Sequence, residues 1–155
     1  MIDYNDIKHV RPIADNINEG KRIQPYINEV EKLYLIPYLG AKRFKEISEN
    51  KSEHEDLFKG GFYDEDSKYF AGLNEASGYL VYSRFLKNNQ VNVTAFGVVV
   101  KQGQFSEQVD EKTLIRSAND AEKIGLEYLN QCLEYLNQDS CKNTKVSKRK
   151  FRAIG

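Results

Sequence analysis

Residues 70–104 read FAGLNEASGYLVYSRFLKNNQVNVTAFGVVVKQGQ, and the change of character inside this stretch decides the fold. Up to Asn88-Asn89 the pattern is helical. Tyr69/Phe70, Leu73, Ala76/Ser77, Leu80 and Arg84 recur at steps of three and four, and Val81 and Phe85 widen the stripe. This predicts a long aromatic helix over Asp66–Lys87. Beyond it the chain turns β-branched: Val91 and Val93 alternate, and Gly97 and Gly103 mark a turn and an exit. The prediction is a small hairpin or extended arm over residues 90–104. A β segment between two strong helices cannot join a helical core, so it pairs with itself, with another part of the chain, or with another copy. A lone two-stranded hairpin is marginal in water and is expected to lean on something. Val91, Val93, Phe96, Val98, Val99, Val100 and Lys101 are therefore the candidate subunit or partner interface.

On the C-terminal side a last long helix is expected from Asp110 to Asn137. Leu114, Ala118, Ala121, Gly125, Tyr128, Cys132 and Tyr135 form its stripe, broadened by Ile115, Ile124, Leu129, Leu133 and Leu136. On the N-terminal side, Ile23, Ile27, Val30 and Tyr34 predict a helix over Gln24–Leu35, with Pro25 in its first turn and Pro37 and Gly40 ending it. Asp3 or Asn5 is suited to cap a short turn near the start. A helix over Ala41–Ser48 turns Phe44 and Ile47 inward, and Gly60-Gly61 closes a further helical turn. The acidic triplet Asp64-Glu65-Asp66 has two readings, a metal site or a helix cap placed before the long helix, and capping is the simpler. Gly72 and Gly78, read as interior to that helix, imply a close approach of two helices. Tyr79, Tyr82 and Arg84 suit either a base-stacking surface or a core edge and subunit interface. The expected class is mainly α: a bundle of about four helices with a short β-hairpin or arm inserted before the last one.

The chain has 155 residues, enough for a hydrophobic core, and its 40% apolar and 30% charged residues are ordinary for a globular domain. Ten Tyr and eight Phe, against one Met and no Trp, make a profile suited to half-wet positions such as interfaces. No apolar run approaches the roughly 20 residues that span a bilayer, and the start lacks the layout of a signal peptide, so assembly in a cytoplasm is expected. Cys132 and Cys141 form no CxxC or Cys/His cluster. Net charge is zero but segregated. Lys142, Lys145, Lys148, Arg149, Lys150 and Arg152 stand in residues 142–155 without an acid, leaving residues 1–141 at −6. The expected division is one domain over 1–141 and a basic docking tail over 142–155, which is suited to an acidic protein surface, to nucleic acid, or simply to solvent.

Phosphate-binding, dinucleotide, nucleophile-elbow and zinc-protease motifs do not occur. His9 and His54 lack a second ligand at metal spacing. The expectation is a non-enzyme with no cofactor and no metal.

The succession LYLIPYLG, YSRFL, NVTAFGVVVK and SANDAEKIGLEYLNQCLEYL resembles the small head–tail connector (head-completion or adaptor) proteins of tailed bacteriophages. It is most similar to versions in phages and prophages of Bacteroides-type bacteria, including the ring proteins of crAss-like phages. The resemblance covers residues 20–137 and excludes the basic tail. It implies a virion protein at the head–tail junction: a homo-oligomeric ring, typically a dodecamer, that docks on the portal and extends the DNA channel. Implied partners are further copies of the chain, the portal, other connector or tail proteins, and genomic DNA in passing, without sequence-specific binding and without a membrane. Two other readings stand beside it. One is a cytosolic nucleic-acid-binding module using the basic tail. The other is a bacterial regulatory or adaptor domain.

Overall fold

Leu73–Asn88 forms α6, the helix around which the rest packs. The computed structural model describes residues 1–10, 19–88, 91–94, 97–100 and 111–144. It is mainly α-helical, with a β-hairpin placed before the last long helix as the sequence predicts. Leu73, Ala76, Ser77, Gly78, Leu80, Val81, Ser83 and Phe85 of α6 are all buried. A helix apolar over most of its circumference belongs at the centre of a bundle.

The partner of α6 is α7, Glu111–Thr144, whose Ala118, Ala121, Leu129 and Cys132 are buried. Gly125 brings the two together. A Cβ there would lie 2.7 Å from Leu80 Cγ and 3.0 Å from the Ala76 carbonyl oxygen. Leu73, Leu80, Val81 and Leu129 are fully enclosed, and each such side chain contributes about 1.5–3 kcal/mol.

The N-terminal third wraps this pair. Helix α1, Tyr4–Ile7, is capped by Asp3, which accepts from the Asp6 N–H while the Asp6 carboxylate accepts from the Asp3 N–H. Val10 follows and lies over Gly78, where a Cβ would come within 2.6 Å of its side chain. Helix α2, Glu19–Val30, buries Ile23, Ile27 and Val30. Its start precedes the expected one, so Pro25 is interior rather than in the first turn. The helix also outlasts Pro37. A π-turn at Glu31–Leu35 leads into α3, Ile36–Leu39, and only Gly40, at φ 81°, ends it. Ile36 N–H donates to the Glu31 carbonyl, five residues back. The wider turn stands directly ahead of the ring that would clash with a carbonyl in a regular helix.

Helix α4, Ala41–Glu49, buries Ile47 and half-buries Phe44. A 3₁₀ turn at Lys51–His54 and α5, Glu55–Lys59, then carry Leu57 and Phe58 into the core. Between α5 and α6 the chain departs from the predicted helix. Strands β1, Gly61–Tyr63, and β2, Lys68–Phe70, pair antiparallel with Phe62 opposite Tyr69. Asp64, Glu65 and Asp66 form the turn between them rather than a helix cap, and α6 begins at Leu73. Gly72 therefore precedes the helix, at φ 88°. A Cβ on it would meet the Gly60 nitrogen at 2.5 Å, so it packs on the C-terminal end of α5 from outside α6 rather than within a crossing of two helix interiors. Strands β3, Val91–Thr94, and β4, Gly97–Val100, form the hairpin between α6 and α7. Among the described residues no helix is long and apolar enough to cross a membrane.

Candidate interaction surface

The β1–β2 hairpin has two aromatic faces, as the two-residue repeat of strands requires. On the inner face Phe70 stacks on Tyr135 of α7, with ring centroids 4.2 Å apart and planes at 12°. Tyr63 meets both rings edge-on, 5.6 Å from Phe70 and 5.3 Å from Tyr135. The three rings anchor strands of only three residues to the bundle. On the outer face the cross-strand pair Phe62 and Tyr69 stands at 5.2 Å and 60°, with 69% and 54% of each residue exposed. Such a pair contributes about 0.5–1.5 kcal/mol to the hairpin and still presents two rings to water.

The acidic turn adjoins these rings. Asp64, Glu65 and Asp66 take φ values of 56°, 55° and 62°, the left-handed region. That region is costly for side chains other than glycine, most tolerable for Asp and Asn. Ser67 closes the turn, its N–H and hydroxyl both donating to the Asp64 carbonyl. All three acids and Lys68 are exposed. The aromatic surface continues onto the bundle, where Tyr79 meets Tyr128 edge-on at 5.7 Å. Burial pushes the Tyr128 phenol up, with Tyr79, Glu75 and Tyr69 adding to the shift.

A set of polar contacts joins α6 and its neighbours. Tyr34 donates to Glu122 Oε1 at 2.5 Å, and Lys87 donates to Glu122 Oε2 at 2.5 Å. Burial and the hydrogen bond to Glu122 push the Tyr34 phenol up to about 12. Lys87, and then Tyr34, hold the Glu122 carboxyl below its ordinary value. Arg84 grips Glu29 Oε2 through Nε at 2.9 Å and Nη2 at 2.7 Å. These contacts tie the π-turn and α2 to α6 and α7, and they engage Arg84 with a carboxylate rather than offering it for base stacking. Burial pushes the Cys132 thiol up to about 12, which suits a core position and not a nucleophile. Among the described residues no group of three or more His, Cys, Asp and Glu is placed to hold a metal.

Of the interface positions expected from sequence, Val91 pairs with Val100, Val93 with Val98, and Asn92 with Val99 in the β3–β4 ladder. The segment thus pairs with itself, the first of its three alternatives. Phe96 and Lys101 lie outside the described residues. Lys142 falls within α7, which runs to Thr144, three residues past the expected edge of the domain. Lys145, Lys148, Arg149, Lys150 and Arg152 lie outside the described residues. The Phe62/Tyr69 surface was not among the expected sites. Its signal is the pair of short aromatic alternations, Phe62-Tyr63 and Tyr69-Phe70, flanking the polar run Asp64–Ser67.

These elements define a small, mainly α-helical protein with exposed aromatic and charged groups on its β1–β2 hairpin. A family model matches residues 35–149, a span holding both hairpins, α6 and the whole of α7 together with part of the basic tail. The chain belongs to that family, the family of unknown function DUF6712. No curated protein and no solved structure matches it.

Proposed function

We propose that this chain is a structural protein of a tailed-phage virion, forming a ring at the head–tail junction that docks on the portal and extends the DNA channel. The observation that carries the reading is the β3–β4 hairpin between α6 and α7. Among the described residues its sheet has two strands, so both outer strands present backbone N–H and C=O groups along an edge. Such an edge is a template for pairing with a neighbouring subunit. The element order around it supports the same reading, because helix, β arm and long closing helix are the features of the connector resemblance. The state of the shifted groups supports a binding rather than a catalytic reading. The Cys132 thiol and the Tyr34 phenol stay protonated near neutrality, and Glu122 is engaged by Tyr34 and Lys87. Charge segregation supplies the two unlike faces that a head-to-tail ring needs.

The test mixes the full-length chain with the portal protein of the same genome and, separately, with duplex DNA over a salt series. The expected result is a complex that forms with portal and weak binding to free duplex. Indifference to portal, with duplex binding that falls steeply as salt rises, would favour a nucleic-acid module working through the basic tail.

A further inference from the structure

We infer that the outer face of the β1–β2 hairpin, formed by Phe62, Tyr69 and the Asp64-Glu65-Asp66 turn, is the dock for the basic tail of a second copy of this chain. The inference rests on the ring reading and names the contact by which one subunit would hold the next. Two rings more than half exposed sit beside three exposed carboxylates, and Lys68 is the one cation within the hairpin's own residues 61–70. The occupant has to carry several cations and an apolar group at close spacing.

The segment Lys148-Arg149-Lys150-Phe151-Arg152 has that composition. Its guanidinium and ammonium groups match carboxylates through charge-assisted hydrogen bonds and match ring faces through cation–π contact. Phe151 adds a third ring to the Phe62/Tyr69 pair.

The geometry favours a neighbour over the chain's own tail. Tyr135 sits on the hairpin, and α7 continues to Thr144, so nine more helical residues carry the chain about 13 Å along the axis beyond the dock. Lys148 stands four residues after Thr144, at most about 14 Å away when extended. Return to the same hairpin would demand an almost fully extended doubling-back at the helix end, whereas a neighbouring subunit can meet the tail where it leaves α7. Acceptor and donor are then different surfaces of one chain, as closed head-to-tail rings require.

The experiment uses isotopically light and heavy full-length chains, mixed, assembled with portal and treated with a carboxylate-to-amine coupling reagent. The expected products join Asp64, Glu65 or Asp66 of one isotope to Lys145, Lys148 or Lys150 of the other. The double variant Phe62→Ser/Tyr69→Ser alters exposed residues and should keep the wild-type helical spectrum, while its mixed-isotope yield drops at least about tenfold. A charge-reversing variant, Asp64→Lys/Asp66→Lys, should lose the products as well, and raised salt should thin them. Same-isotope products alone would mean that each chain binds its own tail, and would overturn the proposal. Undiminished yield in the double variant would also overturn it. Mass photometry of the same samples separates the failures. A complete ring without these products overturns the dock alone, whereas a chain that stays monomeric with portal overturns the ring and the dock with it.

Discussion

Replacing Gly72 by alanine tests how the aromatic hairpin is joined to the central helix. Gly72 has φ 88°, and a Cβ built on it would lie 2.5 Å from the Gly60 nitrogen and 2.7 Å from both the Lys59 carbonyl carbon and the Phe58 carbonyl oxygen. All three are backbone atoms, so no rotamer change makes room. The left-handed conformation costs a non-glycine residue about 1–2 kcal/mol, and forcing an extra methyl into packed surroundings typically costs about 1–3 kcal/mol. The lower entropy of the unfolded alanine chain returns about 0.4–1 kcal/mol. The net loss expected for Gly72→Ala is about 2–4 kcal/mol, or about 5–15 °C in Tm for a domain of this size. Gly40 is the internal control: at φ 81° and ψ 142° a Cβ added to it would have nothing within 4 Å, so Gly40→Ala reports a backbone cost alone, about 1–3 kcal/mol. Urea unfolding of both variants, with unchanged m-values, gives the steric part as their difference. Equal losses in the two would refute the close crossing of Gly60 and Gly72.

Gly125→Ala should cost about 1–2 kcal/mol, because the overlap with Leu80 and the Ala76 carbonyl outweighs the gain of about 1 kcal/mol in helix propensity; a stabilised variant in chemical denaturation would contradict the close packing of α7 on α6. Tyr34 should resist ionisation until about pH 12 in an ultraviolet titration of the phenolates. Its folded value lies above the ordinary 10.0, so the stability it adds is complete below pH 10 and fades as pH climbs through the folded value. Tyr34→Phe should abolish that alkaline fade and cost about 1 kcal/mol at neutral pH for the lost hydrogen bond to Glu122; an unchanged alkaline profile would remove Tyr34 from these contacts.

The two long helices and the β excursion between them were legible because each carries an unbroken period. Leu73, Ala76 and Leu80 recur at helical steps in one helix and Ala118, Ala121 and Gly125 in the other, and Val91 and Val93 alternate. What escaped the sequence is local geometry that periodicity does not encode. The acids at 64–66 suit a helix cap as well as a turn, and only the antiparallel pairing of Phe62 with Tyr69 selects the turn. Prolines at 25 and 37 are ordinary helix breakers, yet tertiary packing of Ile23, Ile27 and Leu35 holds one continuous helical path through both, with a π-turn before the second. Gly72 and Gly78 were both legible as points of close approach. Their partners, the end of α5 and Val10, are distant in sequence or come from an irregular segment. The candidate site divides in the same way. The valine pairings of β3 and β4 follow from alternation, whereas the Phe62/Tyr69 surface depends on a hairpin whose strands are too short to announce themselves.

Assembly into a ring on a portal is decided by the mass of the purified full-length chain, alone and mixed with the portal protein of the same genome. The expected result is a discrete high-mass species, either intrinsic or appearing when portal is added. A single 17.9 kDa species at every concentration, unchanged by portal, would contradict it.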